Sequence, residues 1–193
     1  MSAITKAELR SKAKATRARI HYGFSPAARC AAAFMLAERV EALIPDGATV
    51  SAYLPIGSEI DTIPLIDRLS RRGVALALPH VETPNAAMRF LAWSPGEALL
   101  AGPLGLRQPD ASAVEVTPDI VIAPLLAFDG SGNRLGYGAG HFDRAFARLA
   151  DVRRIGVAYG GQRVDAVPTD EWDVPLHAVV TDDALLEPPA NTR

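Results

Sequence analysis

The sequence has little sulfur, few aromatic residues and almost no excess of either charge. Its one cysteine, Cys30, cannot close an internal disulfide and has no Cys or His beside it at metal-site spacing. That excludes a disulfide scaffold. In the run Ala-Arg-Cys-Ala-Ala-Ala-Phe, Cys30 reads as a small buried hydrophobe rather than a reactive thiol. The histidines, His21, His80, His141 and His177, show no metal-ligand spacing either, so no zinc is expected. Lys and Arg total 20 against 22 Asp and Glu, a formal charge of −2, whereas a protein that lives on nucleic-acid backbones carries a clear basic excess. No run approaches the roughly 18 apolar residues of a membrane span. The opening MSAITKAELRSKAK has charge but lacks the apolar segment of a secretory signal. A soluble, cytoplasmic protein with no nucleic-acid or membrane partner is the expectation.

What is present suits one folded unit. The 193 residues, 49% hydrophobic and 22% charged, suffice for a sizeable core and argue against pervasive disorder. Residues 5–20 are strongly helical, and after a break Ser25 can cap a second helix with Pro26 in its first turn, running to about Leu43. Strands are expected at Ala48–Leu54, Val74–Leu78, Met88–Trp93, Ile120–Ala123, Arg154–Ala158 and Ala178–Thr181, and helices at Ile60–Arg71 and Phe142–Leu149. The fully apolar Ile120–Ala123 suits a strand covered on both faces. There are no internal repeats and no linker. The alternation predicts one three-layer α/β domain over residues 1–193, its sheet mostly parallel. The two N-terminal helices would lie on its flank, and the closing LLEPPANTR would be a tail frayed from about residue 187.

The most informative segment is DGSGNRLGYGAGHFDR, Asp129 to Arg144, which leaves the buried strand and enters a helix. Its glycines, at 130, 132, 136, 138 and 140, suit a backbone that approaches a ligand closely or turns through positive φ. Free N–H groups and the helix dipole favour an anion at such a junction, and ligands of parallel sheets sit at the carboxyl ends of strands. A Walker A loop needs GxxxxGK before Ser or Thr, and a Rossmann fingerprint needs GxGxxG; neither is present. On these grounds the segment is either a phosphate-binding loop or a tight connection. Asp143 is either an acid complementing the helix dipole or a magnesium ligand. Arg134 either forks onto phosphate oxygens or is a solvated loop charge.

At 3.6 residues per turn, Lys6, Arg10, Lys14 and Arg17 share roughly a quarter of the first helix's circumference, beside an apolar seam of Leu9, Ala13 and Ile20. This stripe is a solvated face, a cationic edge reaching phosphates over a docked seam, or an RNA-binding arm. No Ser-His-Asp or Cys-His constellation is recognisable, so no protein nucleophile is expected.

Four blocks taken together resemble the 5-formyltetrahydrofolate cyclo-ligase family, also called 5,10-methenyltetrahydrofolate synthetases. They are the K-x-x-L-R of Lys6–Arg10, YLPIGSEIDT, FDGSGNRLGYGAGHFD and PTDEWDVPLHAVVTD; the third is the most specific. The resemblance implies a fold akin to the sugar-phosphate isomerase and CoA-transferase group. It also implies ATP-dependent cyclisation of 5-formyltetrahydrofolate to 5,10-methenyltetrahydrofolate, with Mg²⁺ as cofactor; a monomer is the expected state. It assigns ATP phosphates to Lys6, Arg10 and the loop Arg134, Leu135, Gly136, Tyr137, Gly138, Ala139, Gly140, His141 and Phe142. Leu54 and Glu59 would line the folate pocket, with Tyr137 to His141 shared between the two ligands, and Asp143 and Asp173 would hold the metal.

The sequence departs from the family's common G-x-G-K-G-Y-Y-D: Ala139 stands at the lysine and His141-Phe142 at the tyrosine pair. One phosphate-facing charge is thereby lost, for Arg134 or the N-terminal stripe to replace, while His141 keeps a ring able to stack on the pterin. His177 stands where an aspartate is frequent. Two other readings keep the same residues: a sugar-phosphate isomerase with Glu59 as base, and a non-catalytic nucleotide- or RNA-binding module, hinted at by Ala139.

Overall fold

The computed structural model describes residues 4–83 and 86–189. The first helix, α1, spans Lys6–Gly23, and its start is fixed by a capping box in which Thr5 and Glu8 satisfy each other's backbone N–H groups. Ser25 then caps α2, Pro26–Glu41, accepting from the Ala28 N–H, with Pro26 at a position whose missing donor costs nothing. The chain continues through β1 (Thr49–Ser51), α3 (Ile63–Arg71), β2 (Ala75–His80), β3 (Arg89–Ala92), β4 (Leu100–Ala101) and β5 (Arg107–Gln108). It then forms β6 (Ile120–Pro124), β7 (Ala127–Phe128), β8 (Arg134–Leu135), α4 (His141–Arg148), β9 (Arg153–Ala158), β10 (Ala178–Thr181) and β11 (Leu185–Leu186).

Seven strands form one sheet in the order β11-β10-β9-β6-β1-β2-β3. The five inner strands run parallel, while β3 and β11 close the edges antiparallel. The pleat of β6 shows how the layers form: Ile120 and Ile122 enter one cluster with Leu36, Val40, Leu65 and Leu69, while Val121 and Ala123 enter another with Ala145 and Phe146. Helices α2 and α3 therefore cover one face and α4 the other, which is the expected α/β arrangement. In β9 the packing demands glycine, because a Cβ on Gly156 would sit 2.5 Å from Leu176 Cδ1 and 2.9 Å from Leu125 Cδ2.

Several expectations are corrected. The N-terminal helices do not share a flank. Helix α2 is a full member of a helical layer, whereas α1 lies over the carboxyl ends of the strands, where Leu9 and Ala13 pack with Leu126, Ala127, Leu135 and Val167. Cys30 is exposed, because it stands at the margin of the α2 stripe formed by Ala32, Ala33, Leu36, Ala37 and Val40. Leu185 and Leu186 are not tail but an edge strand paired with β10, and Glu187 pairs with Arg153 at 3.8 Å; residues 190–193 lie outside the described residues. The helix expected from Ile60 begins at Ile63, because Thr62 turns its hydroxyl onto the Tyr53 carbonyl at 2.6 Å and Asp61 accepts the Ile63 N–H. The glycine-rich loop contains the β7–β8 hairpin, and the Pro- and Gly-rich stretch contains the β4–β5 pair; sequence reading found neither.

Candidate active site

At the carboxyl ends of β1, β2 and β6 lies a cavity of about 410 Å³. The segment after β1 supplies Tyr53, Leu54, Ile56 and Glu59, the segment after β6 supplies the glycine loop, and α1 supplies Lys6 and Arg10. Every residue expected at the site lines this cavity: Lys6, Arg10, Leu54, Glu59, Arg134 to Phe142, Asp143 and Asp173.

The glycine loop is held at its base by Asp129. This buried carboxylate accepts from the backbone N–H groups of Ser131, Asn133 and Val167 and from the Asn133 side chain, at 2.9 to 3.1 Å. The hairpin it secures delivers the chain to Gly138, whose φ of 104° is strained for any residue with a side chain. Gly140, at φ 66°, turns the backbone into α4, and no side chain caps that helix. Its first-turn N–H groups therefore face the cavity end of the loop, beside the expected phosphate contacts.

Three cations flank this loop, each held differently. Arg10 donates from Nε to the Gly136 carbonyl at 3.2 Å. Lys6 is pinned between Asp170, at 2.6 Å, and Asp173. Burial disfavours its charge, but the hydrogen bonds and charges of the two aspartates outweigh that and raise its pKa above the usual lysine value. The Arg134 side chain is 4% exposed, donates to Asp143 Oδ1 at 2.8 Å, and lies 5.4 Å from the ring centres of both Phe142 and Phe146. Its Nε is buried without a partner. Arg134 is thus no solvated loop charge.

The other half of the cavity is organised around Glu59, 6% exposed. Tyr137 Oη donates to its Oε1 at 2.7 Å and the Ile56 N–H to its Oε2 at 2.8 Å. Burial pushes its pKa above the ordinary carboxylate value, against the lowering effect of these two bonds and of Arg17. Tyr137, 49% exposed, presents its ring to the cavity. His141, credited with a ring for stacking, is 8% exposed; Arg144 donates to its Nδ1 at 3.2 Å, and burial followed by that cation lowers its pKa. Arg144 also donates to the Ala139 carbonyl at 2.9 Å, so a guanidinium stands beside the position where the loop lacks its lysine.

Sequence reading missed two contributors. Arg17, counted in the basic stripe, is 3% exposed and meets Glu59 rather than phosphate or solvent; Lys14 alone of that stripe is a plainly exposed charge. Asp170, three residues before Asp173, shares Lys6 with it, and the spacing of the acids in TDEWD was the available signal. Among the described residues no cluster of three or more acids, histidines or cysteines is assembled as a metal site, and Asp143 and Asp173 are both ion-paired.

A model of the 5-formyltetrahydrofolate cyclo-ligase family matches residues 3–182. The chain belongs to that family. Among curated cyclo-ligases it is 36% identical over 146 residues to the 5-formyltetrahydrofolate cyclo-ligase of Escherichia coli K12, covering 72% of this chain and 80% of that one. It is 35% identical over 144 residues to the cyclo-ligase of Mycolicibacterium smegmatis, covering 70% and 74%. Among solved structures, the 5,10-methenyltetrahydrofolate synthetase of Aquifex aeolicus superposes with a TM-score of 0.81 at 28% identity, over 98% of this chain and 96% of that one. The Mycoplasma pneumoniae synthetase, at 21% identity and a TM-score of 0.72, shares the fold over 93% and 99%.

Proposed function

We propose that this cavity binds ATP at the glycine loop and 5-formyltetrahydrofolate beside Glu59 and Tyr137, and closes the second onto itself at the expense of the first. The observation that carries the reading is the continuity of the two halves: a cationic loop at a helix start and an apolar pocket with one buried carboxylate share a single cavity. As a cyclo-ligase the enzyme converts 5-formyltetrahydrofolate to 5,10-methenyltetrahydrofolate.

The chemistry explains why two halves are needed. The secondary amine N10 must attack a formamide carbon and expel its oxygen, which is a very poor leaving group. In the proposed sequence the formyl oxygen attacks the γ-phosphorus of ATP, the bond to ADP breaks, and an imidate phosphate forms. N10 then adds to the activated carbon and loses its proton, the carbon–oxygen bond breaks, and inorganic phosphate leaves. Holding the formyl oxygen in line with the γ-phosphorus can supply about 7–11 kcal/mol at best. Lys6, Arg10 and Arg134 bind and neutralise phosphate oxygens, a role that needs no protein nucleophile.

Asp143 and Asp173 fit a magnesium ion by their chemistry: one or two carboxylates beside a phosphate cradle is the usual protein share of such a site. Each is now paired, with Arg134 and Lys6 respectively, and phosphate oxygens that compete for those cations leave the carboxylates available to metal. A bound Mg²⁺ would offset the charge on the transferring phosphoryl group. The reaction suits the cytoplasm, where ATP and reduced folates are both kept.

The test mixes protein, 5-formyltetrahydrofolate and Mg-ATP and follows the ultraviolet absorbance of the methenyl product alongside ADP. Product and ADP rising together support the reading; retention of nucleotide or RNA without product, or isomerase activity without nucleotide, sinks it. Asp143→Ala is expected to remove turnover at ordinary magnesium, and near-normal rates would refute its role at the metal.

A further inference from the structure

Buried charge is costly, so a buried arginine that touches neither solvent nor the cavity needs a reason. Arg17 is such a residue: it is 3% exposed and is not among the residues that line the cavity. It sits on the buried face of α1 three turns beyond Lys6, about 16 Å along the axis. Its Nε donates to Ser58 Oγ at 3.2 Å and its Nη1 to the Leu125 carbonyl at 3.5 Å. The same Nη1 lies 3.6 Å from Glu59 Oε1, and its Cζ stands 5.2 Å from the centre of the Tyr137 ring. Ser58 and Leu125 follow β1 and β6, so the guanidinium ties the two loops that build the cavity to the helix above them.

We propose that Arg17 is a positioning residue for the folate half of the site, holding the Glu59 carboxylate ionised and oriented and seating the Tyr137 ring, without touching substrate. The inference rests on the reading of that half as the folate pocket. A carboxylate in this apolar position drifts towards its protonated form, and a protonated Glu59 must give up one acceptor towards the N–H donors of a reduced pterin. Among the described residues the ionisable groups facing Glu59 are Arg17 from α1, Tyr137 from the glycine loop and Tyr53 from the end of β1. Arg17 is the cation of that set. Arginine suits the post because its planar fork serves Ser58, Leu125 and Glu59 at once and its charge is permanent.

The experiment compares wild type, Arg17→Gln, Arg17→Lys, Glu59→Gln and the paired Arg17→Gln/Glu59→Gln in the methenyl-forming assay across pH, measuring the KM for each substrate. Removing the cation raises the effective pKa of Glu59. In Arg17→Gln the folate KM is therefore expected to rise about ten-fold near neutral pH, and its acid-side inflection to move upward by about one pH unit. The ATP KM should stay within about two-fold, and Arg17→Lys should restore much of the inflection. In the paired variant, where no charge is left buried, replacing Arg17 should add little to Glu59→Gln alone; this arm remains readable if Arg17→Gln does not fold. An unmoved pH profile, equal rises in both KM values, or additivity in the paired variant overturns the proposal. Failure of wild type itself to form methenyl product instead removes the functional reading on which it stands.

Discussion

Tyr137 combines two properties that rarely coincide: a ring half exposed to the cavity and a hydroxyl committed to a buried carboxylate 2.7 Å away. Desolvation first, then the charge and hydrogen bond of Glu59, push its pKa well above the ordinary tyrosine value, so it remains a donor throughout the working range. Its ring is available for stacking while its hydroxyl orders Glu59. Tyr137→Phe keeps the ring and removes the donor. A hydrogen bond to a charged group within the fold contributes about 1.5–3 kcal/mol to stability, so the melting temperature is expected to fall by several degrees, and the folate KM to rise because Glu59 loses the partner that orients it. Steady-state kinetics with each substrate varied in turn check this, and an unaltered folate KM would separate Tyr137 from that ligand.

At the scale of elements, α1 is the part whose role changes most between sequence and structure. Its seam docks through Leu9 and Ala13, its first turn brings Lys6 and Arg10 to the glycine loop, and its far end buries Arg17. The helix is therefore a strap across the strand ends, fastened at its start by Lys6 to Asp170 and Asp173. Lys6→Ala should raise the KM for ATP several-fold and that for folate much less, because the phosphates lose a cation while Glu59 and Tyr137 are untouched. A matching rise in both would show that Lys6 acts by holding the strap in place rather than by meeting phosphate. Helix α4 makes the complementary contribution: Gly140 leaves its start uncapped, and Arg144 folds back over Ala139.

For the whole molecule, the titratable groups set a direction with pH. Burial first, and then nearby arginines, hold His21, His141 and His177 below the ordinary value of 6.5. As pH falls below about 6.5 the unfolded chain takes up protons that the folded chain resists, so stability present above that pH is lost on the way down. Glu59, raised above 4.5, acts in the opposite sense, favouring the fold at acid pH and losing that contribution as pH rises through its folded value, but it is one group against three. The thermal midpoint is expected to be lower at about pH 5.5 than at about pH 7.5. Calorimetry at the two values decides, and an equal or higher midpoint in acid would contradict the assignment of neutral imidazoles at these three positions.

Local rules were enough to find most elements: the Ser25–Pro26 cap, the apolar spacing in α3 and the short apolar run of β6 are encoded within a few residues. The glycine loop was also visible, because positive φ at Gly138 and Gly140 leaves few alternatives to glycine. The partners of the charges were not visible. Nothing near Arg17 in the sequence marks it for burial, and its pairing with Glu59 exists because β1 and β6 are neighbours in the sheet, which brings their following loops together beneath α1. The same holds for Lys6 with Asp170 and Asp173, at opposite ends of the chain. Periodicity, caps and glycines act over one or two turns and can be read along the chain; the cost of burying a charge depends on which distant segments surround it, and only the tertiary structure decides that.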